Sequence, residues 1–296
     1  MDLKNYSQAN KVIIDAALDK LLPSEDEFPY QLHKAMRYCL MASGKRIRPI
    51  LALAAAEAVG GNPETIIHES CALELIHTFT LIHDDLPAMD DDDYRRGILT
   101  THKVYGEAMA ILAGDALLTE AFNILALGFK RGAHKADHIV EIIKVVADAS
   151  GSKGIVGGQV ADLESEGKLI EETTLEYIHN HKTGSLITAS VVLGGTLAGG
   201  SDEEIRQLEH YGKSIGLAFQ IKDDILDIKG SSEEIGKKPG SDENKDKATY
   251  PRILGLDEAE KRQWHLYLQS LECLKSFDTK ADRLREIGLY IIERTS

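Results

Sequence analysis

Apolar residues recur at helical spacing along almost the whole chain. They return every three or four positions in stretches such as Val12, Ile13, Ala16, Ala17 and Leu21; Leu73, Ile76, Phe79 and Leu81; and Ile142, Val145, Val146 and Ala149. A period near 3.6 residues places such positions on one face of a helix. Sustained alternation of the kind that predicts strands is hard to find. The pattern therefore predicts an all-α fold.

Capping residues and breaks divide this pattern into helices. Asn62-Pro63-Glu64 combines a capping asparagine with proline at a first helical position, and Ser201 to Glu204 has the spacing of a capping box. A further helix is expected from about Arg48 to Val59. Two segments look irregular, residues 91–106 and residues 230–249, and both are rich in polar residues and follow acidic clusters. We expect these segments to be loops that close over a site on a helical frame.

Length and charge limit the possible classes of protein. The 296 residues suffice for one large helical domain, which we expect to span residues 1–296. A formal net charge of −14 opposes binding to nucleic acid and to anionic membranes. The chain begins without a basic segment followed by an apolar core, and no uncharged run approaches membrane-spanning length, so we expect no stable membrane insertion.

The cysteines point to neither a disulfide framework nor a zinc site. Cys39, Cys71 and Cys273 are odd in number, far apart, and lack the paired spacing of metal ligands. This usage is typical of a reducing compartment, and we expect a cytoplasmic protein.

Two aspartate clusters lie in apolar, helix-like stretches. The first contains Asp84, Asp85 and Asp90, and the second contains Asp223, Asp224 and Asp227. Ionised carboxylates are costly to withdraw from water unless a cation pairs with them. Bound metal, or local exposure to solvent, would explain both clusters.

The spacing within the clusters suits shared metal ligation. Asp223 and Asp227 are four residues apart, which leaves them about 40° apart around a helix. Asp84 and Asp90 would diverge by roughly 120° on an ideal helix, but Pro87 forces a distortion that could realign them. Sites with few oxygen ligands from the protein favour Mg²⁺, whose remaining coordination positions are usually filled by water and substrate phosphate.

Basic residues form a candidate anion site near the start of the chain. Gly44-Lys45-Arg46-Ile47-Arg48-Pro49 places three cations before a predicted helix, where backbone N–H groups and the helix dipole add to their charge. Pro49 is expected at the first helical position. Taken alone, this run and Arg95-Arg96 are equally consistent with solvated turns and surface ion pairs.

Six strings, in this order, resemble the trans-isoprenyl diphosphate synthases, and among them the bacterial farnesyl diphosphate synthases most. They are Gly44 to Pro49, Leu81 to Asp90, Arg95-Arg96-Gly97, Gly157-Gly158-Gln159, Lys182-Thr183 and Phe219 to Asp227. The resemblance implies an all-helical bundle with a central active-site cavity. It also implies head-to-tail condensation of isopentenyl diphosphate with dimethylallyl or geranyl diphosphate, and a homodimer.

The resemblance assigns roles to the acidic residues. Asp84, Asp90 and Asp223 would bind the Mg²⁺ ions, three in the family, that hold the allylic diphosphate. Asp85, Asp224 and Asp227 would be secondary metal ligands or orienting partners. Gln159 and Asp162 would line or brace the pocket.

The resemblance also assigns roles to the basic and polar residues. Arg95, Lys182 and Lys237 would contact the allylic diphosphate, with Lys247 a weaker candidate. Lys45, Arg48, His77 and Arg96 would bind isopentenyl diphosphate. Thr183 and Gln220 match positions whose oxygens face the carbocation. His77 on its own could equally be a buried core histidine, and a role for Arg294 near the second diphosphate is a guess.

Phe79 and Thr80 are the candidates for control of product length. They precede Asp84 by five and four residues, so their backbones lie ~6–7.5 Å from it along a helix. An aromatic residue at the position of Phe79 goes with a fifteen-carbon product in this family, so we expect farnesyl diphosphate. Phe79 could instead pack in the core, with the floor of the cavity elsewhere.

Several alternatives remain open. A geranylgeranyl or geranyl diphosphate synthase of the same family would share the spacing of the first cluster. A terpene cyclase would need no second diphosphate site, so Lys45, Arg48 and Arg96 argue against it. An inactive partner subunit would be expected to have lost its aspartates, whereas both clusters are intact.

Overall fold

The computed structural model describes residues 2–229 and 248–295, and these are almost entirely helical. The elements are α1 (Leu3–Leu21), α2 (Tyr30–Leu40), α3 (Ile47–Ala58), α4 (Ile67–Asp84), β1 (Tyr94–Arg95), β2 (Ile98–Leu99), α5 (Thr101–Tyr105), α6 (Glu107–Lys130), α7 (Ala136–Ser150), α8 (Ile155–Ser165), α9 (Glu172–His179), α10 (Ser185–Leu197), α11 (Asp202–Lys229), α12 (Tyr250–Leu254), α13 (Leu256–Cys273) and α14 (Asp282–Glu293). Short 3₁₀ turns occupy Pro63–Ile66 and Thr279–Ala281. The predicted all-α class is confirmed.

The chain packs as two compact units. The first comprises Met1–Leu53 and Asn62–Ile143, and the second comprises Ala54–Gly61 and Lys144–Ser296. The boundaries fall within α3, between Gly61 and Asn62 after α3, and within α7. One domain over residues 1–296 stays a prediction.

The capping predictions hold at one helix and need correction at two. Ser201 N donates to Glu204 Oε2 at 2.7 Å, and Glu204 N donates to Ser201 Oγ at 3.4 Å, which is the expected capping box. Asn62 Oδ1 accepts from Glu64 N at 3.1 Å, but it caps a 3₁₀ turn that leads into α4. Helix α3 begins at Ile47, so Pro49 lies in the first turn, where a missing N–H is tolerated, and not at its first position.

In the first unit, α6 packs along α4. Small residues on its buried face, including Ala110, Ala113 and Gly114, permit close approach. A Cβ added to Gly114 would lie 2.2 Å from His83 Nε2, so only glycine fits there. His83 has a structural role, because its Nε2 lies 3.1 Å from the carbonyl oxygen of Ile111 on α6.

Helix α6 has a second property that composition reveals. Within the described residues it is the one helix long and apolar enough to cross a membrane. It nevertheless carries Asp115 and Glu120, and one face is buried against α4. Core helices of soluble proteins can have the same length and apolar composition.

The prediction of an irregular segment over residues 91–106 is wrong. The segment contains the antiparallel pair β1 and β2 and the short helix α5. Arg96 and Gly97 join the strands with φ angles of 54° and 82°, as a two-residue type I′ hairpin turn requires. Tyr38 Oη donates to the Leu99 carbonyl at 2.8 Å, which fastens the hairpin to α2.

The second unit is organised around α11. Helices α10 and α13 both pack along it, and glycines set the closest approaches. A Cβ on Gly212 would lie 2.7 Å from Thr188 Cα, and one on Gly216 would lie 2.9 Å from Gly184 Cα. Neither clash could be relieved by moving a flexible side chain, because both neighbours are backbone atoms.

A π-helical turn, Asn180–Gly184, joins α9 to α10 without a break in the helix. Turns of this kind insert one extra residue and are frequent at functional sites. Lys182 and Thr183 both lie on it. Helix α8 approaches this turn closely, because a Cβ on Gly158 would lie only 2.3 Å from Lys182 N. Gly158 thus permits the close approach of α8 to the π turn.

Gly158→Ala should destabilise the protein by about 1–3 kcal/mol, because the new methyl group meets rigid backbone. Gly184→Ala is the matched control within the π turn, since its Cβ would make only ordinary contacts of 3.4 and 3.7 Å. We expect the control to be neutral or slightly stabilising. Thermal or urea unfolding of both variants measures the difference, and equal stabilities would contradict the close packing of α8.

Candidate active site

The first aspartate cluster lies where α4 ends. The helix stops at Asp84, and Pro87 cannot supply the N–H that would continue it. The chain then turns back, with Asp90 N donating to the Asp84 carbonyl at 2.8 Å and Asp91 N donating to the Leu86 carbonyl at 3.1 Å. Asp84 and Asp90 therefore come together. The mechanism is a closed turn beyond the helix, which corrects the expectation of a distortion within it.

The second aspartate of this cluster has a different environment from the first. Asp85 is buried, with only 1% of its surface exposed, whereas Asp84 and Asp90 are partly exposed. Asp85 Oδ1 accepts from Arg95 Nε at 2.8 Å and from Arg95 Nη2 at 2.5 Å. Of the two roles expected for Asp85, this geometry favours that of an orienting partner.

Arg95 is held by two carboxylates of its own unit. Besides Asp85, its Nη2 donates to Asp92 Oδ2 at 2.9 Å. Burial by itself would lower the pKa of Arg95, but the Asp85 and Asp92 carboxylates raise it, so the guanidinium stays charged. Arg95 thus carries a fixed positive charge next to the acidic turn.

Arg46 is a functional residue that the sequence did not distinguish from its neighbours. It is buried and adopts a φ of 52°, which is unusual for a residue other than glycine. Its guanidinium donates to Asp15 Oδ1, Glu74 Oε1 and the Leu40 carbonyl, each at 2.8 Å. Arg46 therefore anchors the junction between the loop that carries Lys45 and the first turn of α3, which carries Arg48. A positive φ and complete burial are tertiary properties, and no sequence signal indicates them.

A cationic environment surrounds His77 on α4. Partial burial lowers the pKa of His77 well below its ordinary value, and the charges of Arg48, Arg96, Arg95 and Arg46 lower it further. The imidazole is consequently neutral at physiological pH. The charges of four guanidinium groups thus act on one imidazole, and a positive potential of this kind favours an anion near His77.

Phe79 lies on α4, five residues before the acidic turn. It is buried, and its ring packs edge-on against the His83 ring with centroids 5.5 Å apart. Thr80 is partly buried, and its hydroxyl donates to the His77 carbonyl at 2.8 Å. Their role in product length stays a prediction.

In the second aspartate cluster, which lies in the second unit, a partly exposed aspartate again precedes a buried one. About 41% of the Asp223 side chain is exposed, and its Oδ1 accepts from Arg294 Nη2 at 2.5 Å. Protein atoms around the Asp223 carboxyl raise its pKa by desolvation, and Arg294 opposes that shift. Arg294 also lies over the Phe219 ring, 4.2 Å from its centroid.

Asp224 is buried and has two partners inside the unit. Its Oδ2 lies 3.0 Å from His179 Nε2 and accepts from Tyr250 N at 2.9 Å. It therefore links α9 to the start of α12, which again favours the role of orienting partner over that of metal ligand. Asp227 is buried one turn after Asp223 on α11.

The polar groups around the π turn complete this unit's part of the site. Lys182 Nζ donates to Asp162 Oδ2 at 2.8 Å, so Asp162 braces the lysine. Thr183 and Gln220 are partly buried, and Gln159 Oε1 is buried without a hydrogen-bond partner. Lys237 and Lys247 lie outside the described residues.

The acidic residues fit Mg²⁺ better than a metal held by protein alone. In the described part of the chain, no three histidine, cysteine or carboxylate side chains group closely enough to hold an ion. Asp84 and Asp90 nevertheless come from one closed turn, and Asp223 and Asp227 from one helix turn. Pairs of hard oxygen donors suit an ion whose remaining ligands are water and phosphate.

Comparison with known proteins places these groups in a family. The polyprenyl synthetase family model matches residues 29–287. The dimethylallyltranstransferase of Fischerella ambigua is 48% identical over 296 residues, covering 99% of this chain and 84% of that protein. The farnesyl diphosphate synthase of Micrococcus luteus is 46% identical, covering 96% and 94%.

A solved structure of a related enzyme also resembles this chain. The geranylgeranyl pyrophosphate synthetase of Pyrococcus horikoshii superposes with a TM-score of 0.88 at 30% identity, covering 99% of this chain and 98% of that one. The match to the family model and the identity to these relatives extend over nearly the full chain. The protein is thus a member of the polyprenyl synthetase family.

Proposed function

We propose that the protein condenses isopentenyl diphosphate head to tail with dimethylallyl or geranyl diphosphate, and that its product is (2E,6E)-farnesyl diphosphate. Family membership and the names of its relatives support prenyl transfer with chain elongation. The reaction breaks the allylic C–O bond, forms a C–C bond, and releases pyrophosphate and a proton.

One observation supports two diphosphate sites more than any other. Within the first unit, the turn of Asp84 and Asp90 and the arginines around His77 form neighbouring regions of opposite charge. A diphosphate can bind carboxylates only through cations, and it can bind arginines directly. A reaction that joins two diphosphates needs both arrangements.

The acidic residues would hold the allylic diphosphate through Mg²⁺. Asp84, Asp90 and Asp223 are the proposed ligands, and the bound ions would stabilise the charge that develops on the leaving pyrophosphate. Arg95, already charged and fixed by Asp85, and Lys182, braced by Asp162, would contact the same leaving group.

The cationic residues of the first unit would hold isopentenyl diphosphate. Lys45 and Arg48 flank Arg46, Lys45 on the loop before α3 and Arg48 in the first turn of α3, and Arg96 lies at the hairpin turn. Neutral His77 can donate one N–H to a phosphate oxygen without adding charge. The double bond of this substrate then attacks the allylic cation.

The reaction needs no protein nucleophile. The proton lost after C–C bond formation can pass to the departing pyrophosphate. Thr183, on the π turn, and Gln220, on α11, would supply oxygen atoms that stabilise the cation. Exclusion of water is required as well, because water would trap the cation as an alcohol.

Asp84→Asn and Asp223→Asn should each reduce kcat/KM by at least ~10²-fold, because each variant removes a charge that holds the ion bound to the leaving group. Rates with isopentenyl and geranyl diphosphate, measured over a magnesium titration, test this. Asp93→Asn is the control. Asp93 lies in the same segment, pairs with Lys103 at 2.7 Å, and has no proposed role.

We expect the Asp93 variant to keep nearly full activity. Chelation of magnesium should abolish condensation in the unaltered protein. Activity that survives chelation, or Asp84 and Asp223 variants as active as the control, would contradict the proposal. Cyclised hydrocarbon among the products would indicate a terpene cyclase, and an absence of turnover would indicate an inactive partner subunit.

Phe79→Ala should lengthen the product by one or more five-carbon units. The buried ring lies ~7.5 Å from Asp84 along α4, where it can block the growing hydrocarbon. Phe79→Tyr keeps the bulk and should keep the product length. Chromatographic sizing of the dephosphorylated products decides, and unchanged fifteen-carbon output from the alanine variant would refute the role of Phe79. Twenty-carbon output from the unaltered protein would favour a geranylgeranyl diphosphate synthase.

We also propose that the protein is a homodimer formed along α6. This helix buries one face on α4 and exposes Ile111 and Leu112, with 44% and 53% of their surfaces accessible, and Phe129, with 55%. A second copy would cover these residues without any membrane.

Leu112→Asp should shift the protein towards monomer, because a charge would be buried at the proposed interface. Sedimentation velocity measures the change. Leu268→Asp is the control, since Leu268 is equally exposed at 54% but lies on α13. A monomeric unaltered protein, or a dimer unaffected by the α6 substitution, would contradict this proposal.

A further inference from the structure

Two buried glutamates on α4 have no role in the proposed chemistry. Glu69 and Glu74 are each 1% exposed and each pair with arginine. A buried carboxylate has a substantial desolvation cost, which its partners must offset. The partners differ, because those of Glu69 lie near the end of α6 and those of Glu74 lie at the candidate anion site.

Glu74 joins two arginines through one oxygen atom. Its Oε1 accepts from Arg46 Nη1 at 2.8 Å and forms an ion pair with Arg96 Nη2 at 3.5 Å. Without this carboxylate, two guanidinium groups would face one another with less negative charge between them. Glu74 therefore neutralises their repulsion and fixes their separation.

Both arginines have an unusual backbone conformation. Arg46 and Arg96 have φ angles of 52° and 54°, in the left-handed region that non-glycine residues seldom adopt. Such strain persists only where surrounding contacts impose it. The carboxylate of Glu74 is a contact common to both, so it couples the start of α3, with Lys45 before it and Arg48 in its first turn, to the hairpin turn.

Gly44 shows how closely these groups pack. A Cβ added to Gly44 would lie 3.2 Å from Arg96 Cζ and 3.3 Å from Arg46 Nη1. The start of the basic loop therefore passes directly over both guanidinium groups. A shift of either arginine would move the loop that supplies cations to the second diphosphate.

We infer that Glu74 is a positioning residue for the isopentenyl diphosphate site, acting through Arg46 and Arg96 without touching the substrate. This inference rests on the proposed function. It separates the two substrates, because Glu74 pairs with Arg46 and Arg96, whereas Arg95, which is proposed to serve the allylic site, pairs with Asp85 and Asp92.

Glu74→Gln tests the inference. The amide keeps the shape of the side chain but removes its charge, so the KM for isopentenyl diphosphate should rise by about ten- to a hundredfold. The KM for geranyl diphosphate should change less than threefold, and kcat should fall much less than kcat/KM for isopentenyl diphosphate. Glu74→Asp, which keeps the charge, should recover part of the loss.

Glu69→Gln is the matched control. It removes the same charge from the same helix, and its partners Arg131 and His134, the latter 3.6 Å away, have no proposed role in catalysis. We expect it to lower thermal stability while leaving both KM values within about twofold. Similar kinetics for the two glutamine variants, or an equal rise in both KM values for the Glu74 variant, would overturn the inference.

Gly44→Ala tests the same inference if the Glu74 variant does not fold. It leaves every charge in place, but both guanidinium groups must shift by a few tenths of an ångström to admit the methyl group, so the KM for isopentenyl diphosphate should rise selectively. Normal KM values for this variant would overturn the inference. The proposed function fails separately, because in that case the unaltered protein would not condense the two diphosphates at all.

Discussion

Partners that satisfy buried carboxylates fix the candidate site in both units. Asp85 pairs with Arg95 and Glu74 with Arg46, while Asp224 accepts from Tyr250 N and lies 3.0 Å from His179 Nε2. A buried carboxylate without such partners would be costly to withdraw from water. These contacts do not carry out chemistry. They fix the backbone around the residues that we propose to do so, and those of Glu74 and Asp224 join elements that are distant in the sequence.

The paired aspartates show what the sequence could and could not predict. Both clusters were recognised, but adjacent carboxylates look equivalent in a sequence. In the structure, the second of each pair, Asp85 or Asp224, is buried and bonded within the protein, whereas Asp84 and Asp223 are partly exposed. That division depends on the partners that tertiary structure brings to each carboxylate, Arg95 from β1 to Asp85 and His179 and Tyr250 to Asp224, and the local spacing of the aspartates does not indicate them.

The helices were largely predictable, because hydrophobic periodicity reports burial directly. The exceptions arise from tertiary constraints. The closed turn at Asp90 needs a helix to stop, the anchoring role of Arg46 needs Asp15 and Glu74 to meet it, and the π turn accompanies the close approach of Gly158. The hairpin at Arg96-Gly97 is the one missed element with a local signal, a glycine in a polar turn.

The π turn between α9 and α10 has a consequence for how this chain can vary. The π turn contains one residue more than a regular helical turn, and each residue corresponds to about 100° around the helix axis. The extra residue therefore sets the rotational position of α10. Substitutions at Asn180–Gly184 alter a side chain, but a deletion there would restore a regular helix and turn α10 away from α11. Homologous chains should therefore preserve the length of this stretch more strictly than its composition.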